Sequence, residues 1–267
     1  MEGSEVNRQT LEVSVRDKVA TITLNRAEVR NAFNEVAIAE ITAAFDELGR
    51  DPAVRAIVLA ARGAAFCAGA DLNWMKKMAG YSHAENLADA AQLAQMLKTI
   101  YACPKPVVAK VQGDCYAGGM GLVAACDICV VAESVNFCLS EVKLGLIPAT
   151  ISPYVIKAMG ENPARRYFLT AERFSAAEAL RIGFAHVIAP ADGLDAAVAE
   201  ILKSLVAASP HAVAEAKRLV QDVAGAPLTE GLIADTVERI AAIRASDEGR
   251  EGVRSFLEKR KPGWIAG

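Results

Sequence analysis

Three glycines stand close together in the segment AGGMGLVAACD, residues 117–127. Gly118 and Gly119 have no Cβ, so a ligand can approach their backbone closely. The apolar run behind them indicates a buried helix, whose first amides have no intrahelical partner. The glycines do not follow the GxGxxG spacing of dinucleotide sites, and no Gly-Lys-Ser/Thr of a phosphate-binding loop is present. The segment therefore offers backbone N–H donors to a ligand.

A second turn of small residues occurs in FCAGADLNWM, residues 66–75. Asp71 is suited to cap a following helix, and the Ala70 amide lies at the positive end of that helix. Taken alone, this segment can also be interpreted as a tight strand-to-helix turn without a ligand. Together, the two turns could hold one carbonyl oxygen as it becomes negative. Loss of one donor of this kind raises a reaction barrier by about 2.7–4 kcal/mol.

Alternating strands and helices must position these turns. The hydrophobic pattern predicts strands at 19–25, 54–61, 106–113 and 128–133. It predicts helices at 34–49, from Asp71, at 84–102 and from the glycine segment to near Cys126. Beyond about residue 192 only helices are predicted, at 193–207, 210–223, 227–245 and 247–260. This order indicates an α/β fold, divided into a core domain over 1–191 and a helical region over 192–267.

Composition excludes several classes of function. The 29 basic and 32 acidic residues give a net charge of −3, which argues against nucleic acid or an anionic membrane as a partner. The N-terminal segment is polar, and no apolar stretch reaches membrane-spanning length. The six cysteines and three histidines show no metal-ligand spacing. We expect reduced thiols in a cytoplasmic protein, without a metal or a bound cofactor.

Segments along the whole chain resemble the enoyl-CoA hydratase/isomerase family, the crotonases. They are LNRAEVRNAF (24–33), FCAGADLNWM (66–75), PVVAKVQGDCYAGGMGLVAACD (106–127), FCLSEVKLGLIPATISPYV (137–155), SAAEALRIGFAHVI (175–188) and FLEKRKPGW (256–264). The resemblance implies a ββα spiral with a C-terminal helical trimerisation region. It also implies an acyl-CoA thioester substrate, in which coenzyme A is part of the substrate, and assembly as a homotrimer or a dimer of trimers.

The resemblance further implies roles for single residues. The Ala70 and Gly118 amides would form the oxyanion hole, and Glu141 would be the catalytic carboxylate. Substrate or CoA binding would fall to a further set, namely Val29, Arg30, Ala68, Asp71, Leu72, Gly121 and Lys259, the last of these on the final helix.

One position departs from the family pattern. Hydratases with two glutamates carry the second acid three residues after the oxyanion glycine, and Gly121 stands there. Glu141 would then have to orient the water and deliver the proton alone. We predict a hydratase acting on a branched or carboxylated 2-enoyl-CoA, of the methylglutaconyl-CoA type. The alternatives are a double-bond isomerase, a decarboxylase and a non-catalytic CoA- or RNA-binding member of the family.

Other residues with possible chemistry receive structural interpretations. Asp127 is interpreted as a hydrogen-bond acceptor that holds the fold rather than as a catalyst. Tyr116 either contacts the substrate or packs as a buried aromatic. Trp74 and its neighbours Met75 and Met78 either form a lid over the acyl pocket or belong to the core. No histidine is assigned a catalytic role.

Overall fold

The computed structural model describes residues 5–265, so the first four residues of the polar N-terminal segment lie outside it. The strands are β1 (Glu5–Asn7), β2 (Leu11–Arg16), β3 (Val19–Leu24), β4 (Ala56–Ala61), β5 (Ala65–Cys67), β6 (Val107–Val111), β7 (Asp114–Tyr116), β8 (Ile128–Ala132), β9 (Asn136–Cys138), β10 (Phe174–Ser175) and β11 (Val187–Ala189).

The helices of the α/β body are interspersed with these strands, and the first four match the helices that the sequence predicts. They are α1 (Glu35–Arg50), α2 (Leu72–Met78), α3 (His83–Tyr101), α4 (Gly118–Ala125), α5 (Ser152–Met159), α6 (Glu161–Thr170) and α7 (Ala176–Arg181). The C-terminal helices are α8 (Leu194–Ala207), α9 (Pro210–Val223), α10 (Glu230–Ala245) and α11 (Asp247–Leu257). The last helix is shorter than predicted, because it ends at Leu257 rather than near residue 260.

Two sheets organise the body. The larger has the strand order β1-β2-β3-β4-β6-β8-β11, and the smaller has the order β10-β9-β7-β5. From β3 onward the neighbours in the larger sheet are parallel, and its strands β4 and β8 are almost continuously buried. Burial on both faces explains why these strands read as unbroken apolar runs in the sequence.

The smaller sheet carries the turns that the sequence singled out. Its strands β5, β7 and β9 are parallel neighbours, and β10 closes one edge in the antiparallel sense. Parallel strands end at the same edge of a sheet, and the loops leaving that edge are the usual place for a site in α/β proteins. The three loops that follow β5, β7 and β9 therefore lie side by side.

The C-terminal helices differ in how they contact the body. Helix α8 packs on β6, β8 and β11, so it covers the larger sheet. Helices α9 and α10 contain no buried residue. Among the described residues, no single helix combines the length and hydrophobicity needed to cross a membrane, and one bent pair, Ala191–Ala207 with Pro210–Val223, meets that test only jointly.

Candidate active site

The structure brings the three residues of the predicted catalytic set to one edge of the smaller sheet. Ala70 follows β5, Gly118 follows β7 and Glu141 follows β9. The end of β7 is tied to the end of β9, because the Ala117 N–H donates to the Cys138 carbonyl at 2.8 Å. Adjacent strands lie about 4.8 Å apart, so the sheet places the three loops within the span of one small ligand.

In the first turn, the Ala70 N–H points away from the Phe33 backbone, which lies beside it. The Phe33 N–H donates to the Gly69 carbonyl at 2.9 Å, and the Phe33 carbonyl accepts from the Asp71 N–H at 3.0 Å. These bonds form an isolated parallel bridge between Phe33 and Ala70. A parallel bridge uses the groups on either side of Ala70, so the Ala70 N–H points to the other side. Within residues 5–265 that N–H has no hydrogen-bond acceptor.

The second turn presents the Gly118 amide at the start of α4. Ala117 precedes it with φ 48° and ψ −123°, and α4 begins at Gly118. The first amides of a helix have no carbonyl partner within the helix, and the helix dipole makes this end positive. A Cβ built on Gly69 would lie 3.0 Å from the Ala117 Cβ and 3.6 Å from the Gly118 nitrogen. The two turns are therefore in direct contact.

Glu141 begins the short 3-10 helix Glu141–Leu144 after β9. Its carboxylate is half-buried, and its Oε2 is a buried oxygen without a hydrogen-bond partner among the described residues. Burial away from water raises the pKa of Glu141 above its ordinary value, and a hydrogen bond from its own backbone N–H opposes the rise only in part. A carboxyl group with a raised pKa can both accept and return a proton near neutral pH.

Among the described residues, the Ala70 and Gly118 amides and the Glu141 Oε2 have no hydrogen-bond partner, and they belong to neighbouring loops at one sheet edge. Groups of these types can bind a carbonyl oxygen and exchange a proton at the adjacent carbon. A model of the enoyl-CoA hydratase/isomerase family matches residues 14–266. The chain belongs to this family.

Individual relatives agree along nearly the whole chain. A putative enoyl-CoA hydratase from Thermus thermophilus is 34% identical over 249 residues, which is 91% of this chain and 96% of that protein. A structure of an enoyl-CoA hydratase from Shewanella pealeana is 43% identical with a TM-score of 0.93, and the match covers 96% of each chain. A putative enoyl-CoA hydratase/isomerase (crotonase) from Legionella pneumophila is 42% identical with a TM-score of 0.91, covering 97% of this chain and 100% of that one. These similarities confirm the crotonase fold predicted from the sequence.

Within this family, position 121 of the present chain is closed to a side chain. Gly121 is buried in α4, and a Cβ built on it would lie 2.2 Å from Cγ2 and 2.8 Å from Cβ of Ile151. Ile151 is itself 2% exposed, at the start of α5. The volume that a second acid would need is therefore filled, and Gly121 is covered by Ile151.

Only some of the residues predicted to bind CoA lie near the two turns. Val29 and Arg30 are exposed in the loop after β3, and the Arg30 carbonyl accepts from the Ala68 N–H at 3.0 Å, so this loop lies against the first turn. Leu72 is exposed at the start of α2. The placement of Lys259 on the last helix is wrong: the chain has left α11 by then, and Lys259 adopts φ 54°. CoA contacts by these residues stay predictions.

Asp71 is engaged inside the protein. Its Oδ1 accepts from the Asn73 N–H at 2.8 Å and its Oδ2 pairs with Arg26 at 2.8 Å, which confirms the predicted helix cap. Burial favours a higher pKa for Asp71, but the hydrogen bonds from Arg26 and the helix amides outweigh it and hold the pKa below its usual value. Asp71 is thus an ionised group that fixes the first turn.

Three structural interpretations are also supported. Asp127 accepts from the Val107 N–H and from Lys217, each at 2.7 Å. Trp74 is 3% exposed and belongs to the core. Tyr116 donates its hydroxyl to Asp114 at 2.6 Å, which anchors the ring beside the second turn. Phe33 and Ile151 were not predicted from the sequence, because apolar residues at these positions carry no signal beyond ordinary core packing.

Proposed function

We propose that the protein is an enoyl-CoA hydratase that adds water across the double bond of a substituted 2-enoyl-CoA. The observation that carries this proposal is a buried oxygen of Glu141 at the sheet edge that also bears the Ala70 and Gly118 amides, all three without a hydrogen-bond partner within residues 5–265. A buried carboxylate oxygen without a partner is costly unless a ligand supplies one. In the proposed reaction, a water molecule donates a hydrogen bond to this oxygen, and the proton that the oxygen takes up is delivered to the α-carbon.

The mechanism needs only these three groups. The thioester carbonyl oxygen accepts from the Ala70 and Gly118 N–H groups. Glu141 takes a proton from water as the water oxygen bonds to Cβ, and the C=C electrons move to form the enolate, whose negative oxygen lies between the amides. Glu141 then returns the proton to Cα, so one water is added and the carboxylate is restored. Donors that are already in place stabilise the enolate without reorganising.

The substrate class rests on relatives whose names specify an acyl group. A mevalonyl-coenzyme A hydratase from Aspergillus fumigatus is 31% identical over 252 residues, and a 2,3-dehydroadipyl-CoA hydratase from Escherichia coli is 29% identical over 251 residues. The first name specifies a branched acyl group and the second a carboxylated one. We therefore propose a branched or carboxylated 2-enoyl-CoA, of the methylglutaconyl-CoA type, as the substrate.

A double-bond isomerase is the second candidate, because Ile151 fills the place of a second acid. Moving a double bond requires one base that shuttles one proton, and Glu141 suffices for that. Hydration incorporates solvent oxygen into the product, whereas isomerisation does not. Product analysis in ¹⁸O-labelled water with straight, branched and carboxylated enoyl-CoAs separates the two candidates.

Replacement of Glu141 tests the proposed mechanism directly. Glu141→Gln keeps the size of the side chain but removes its proton chemistry, so hydration should slow by about 10²–10⁴-fold. The exposed Glu133→Gln is the matched control and should keep wild-type turnover. If the wild-type product contains no ¹⁸O, or if Glu141→Gln keeps the wild-type turnover, the hydratase mechanism is contradicted.

We also propose assembly as a homotrimer or a dimer of trimers. Helices α9 and α10 enclose a groove of about 380 Å³ whose lining includes Leu219, Ile240 and Ile243. Val220 and Val237 on the same helices are 67% and 60% exposed. Apolar helix faces of this kind are typical of contacts between subunits.

A further inference from the structure

Phe33 contacts both turns of the proposed oxyanion hole. It lies between the loop after β3 and the start of α1, and is 3% exposed. Its backbone belongs to the first turn, through the bonds to the Gly69 carbonyl and the Asp71 N–H at 2.9 and 3.0 Å. These two bonds set the direction of the Ala70 N–H between them.

The ring of Phe33 belongs to the second turn. A Cβ built on Gly118 would lie 2.4 Å from Cζ and 2.9 Å from Cε1 of Phe33, so the ring already occupies the space in front of the Gly118 Cα. Trp74 also packs on the Phe33 ring, with the two ring centroids 6.0 Å apart and the planes tilted by 54°. Helix α4 therefore cannot move toward the Phe33 ring without displacing an aromatic side chain that is only 3% exposed.

Phe33 is itself held firmly. Two residues earlier, the buried Asn31 donates its side-chain amide to the carbonyls of Arg62 and Ala65, at 2.7 and 2.9 Å. One residue later, Asn34 caps α1 by accepting from the Ala37 N–H at 3.0 Å. The segment that carries Phe33 is thereby fixed to β5 on one side and to α1 on the other.

We propose that Phe33 is a positioning residue that sets the separation and direction of the Ala70 and Gly118 amides. The inference rests on the proposed function, because it concerns the geometry with which these amides polarise a thioester carbonyl. The backbone of Phe33 orients one donor, and its ring limits the approach of the other. Displacing a group by about 1 Å in a catalytic site can reduce the rate about 100-fold.

The test compares Phe33→Ala and Phe33→Leu with the wild type. Each protein binds butyryl-CoA labelled with ¹³C at the carbonyl, a saturated thioester that cannot be hydrated, and infrared difference spectra report the carbonyl stretch. The wild type should lower this frequency relative to free butyryl-CoA. Phe33→Ala should lose most of that shift and about 10–100-fold in kcat, with a smaller change in KM. Phe33→Leu should lie between the two.

Two controls separate positioning from general packing. Phe45→Leu removes a fully buried aromatic beside α3 and should lower Tm without moving the carbonyl band. Gly118→Ala should fold poorly because its methyl group meets the Phe33 ring, and combining it with Phe33→Ala should restore much of the lost Tm.

If Phe33→Ala keeps the carbonyl shift of the wild type, the inference about Phe33 is overturned, but the proposed function is not. The same holds if Gly118→Ala is as stable as the wild type. A wild type that binds butyryl-CoA with no carbonyl shift contradicts the proposed function, and the inference with it.

Discussion

At the scale of residues, environment separates two acids that look alike in the sequence. Asp71 has an arginine and helix amides around its carboxylate, so its pKa is lowered and it stays charged. Glu141 is half-buried, its Oε2 has no partner among the described residues, and burial raises its pKa. The first environment stabilises a turn, and the second leaves a group free to exchange protons. Only the resemblance to the family identified Glu141 in advance, because its burial depends on folding.

The buried carboxylate of Glu141 should lower stability in a pH-dependent way. The folded pKa lies above the ordinary value of 4.5, so the charged form is disfavoured in the folded protein. Relative to a neutral side chain, the wild type loses nothing below pH 4.5, loses stability as the pH rises through the folded pKa, and keeps that deficit above it. Glu141→Gln should therefore be more stable than the wild type at about pH 8 and equal to it at about pH 4.

Chemical denaturation of both proteins at the two pH values measures this difference. The exposed Glu133→Gln serves as the control for removing a surface charge, and its stability should differ little from that of the wild type at either pH. If Glu141→Gln shows the same difference from the wild type at both pH values, the carboxylate does not carry the burial cost assigned to it.

At the scale of elements, sequence pattern predicted the long helices and the buried strands of the larger sheet within a few residues. It gave no range for β1, β2, β10, β11 or helices α5 to α7, and it missed the short strands β5, β7 and β9, which hold the site. A strand of three residues is too short to show alternation, and its pairing depends on neighbours distant in the chain. Glycine and small-residue content nevertheless marked the two turns, because a close backbone approach allows few other residues.

The second turn contains a residue in an unfavourable conformation. Ala117 has φ 48° and ψ −123°, a region that residues with a Cβ occupy at a cost of about 1–3 kcal/mol. Glycine adopts this conformation with less strain, although it also increases the conformational entropy of the unfolded chain. Ala117→Gly should therefore raise the free energy of unfolding by about 1 kcal/mol.

The control for that substitution is Ala43→Gly, at a half-buried position in the interior of helix α1. Glycine in a helix interior should lower stability by about 1 kcal/mol. Opposite signs in urea denaturation support conformational strain at Ala117. A loss of stability in both variants means that the Ala117 methyl group contributes more by packing than it costs in strain.

At the scale of the whole molecule, polar contacts join helix α9 to the α/β body. Lys217 donates to Asp127 at 2.7 Å and to the Lys105 carbonyl at 3.1 Å, and Gln221 donates to the Tyr101 carbonyl at 2.7 Å. Burial raises the pKa of Asp127 even though Lys217 opposes the rise. The attachment of this helix therefore depends on an ion pair whose charges are partly removed from water. Sequence pattern predicted the helix itself but not this contact, since Lys217 and Asp127 are distant in the chain.

Removal of one partner should loosen the C-terminal helices more than the sheet. The Lys217 side chain is 9% exposed and that of Asp127 is 25% exposed, so Lys217→Met leaves a carboxylate that water reaches only in part. The expected loss is about 2–3 kcal/mol, below the 3–5 kcal/mol of a fully buried pair. In Lys217→Met/Asp127→Asn no charge is left, and the Asn side-chain oxygen can still accept from the Val107 N–H, so most of that loss should be recovered.

Hydrogen exchange should show faster opening of α9 in the single variant while amides of β4 and β6 change less. Equal losses in the single and double variants would mean that the lysine contributes through packing of its chain, and uniform acceleration in helix and sheet would mean that α9 unfolds only together with the body.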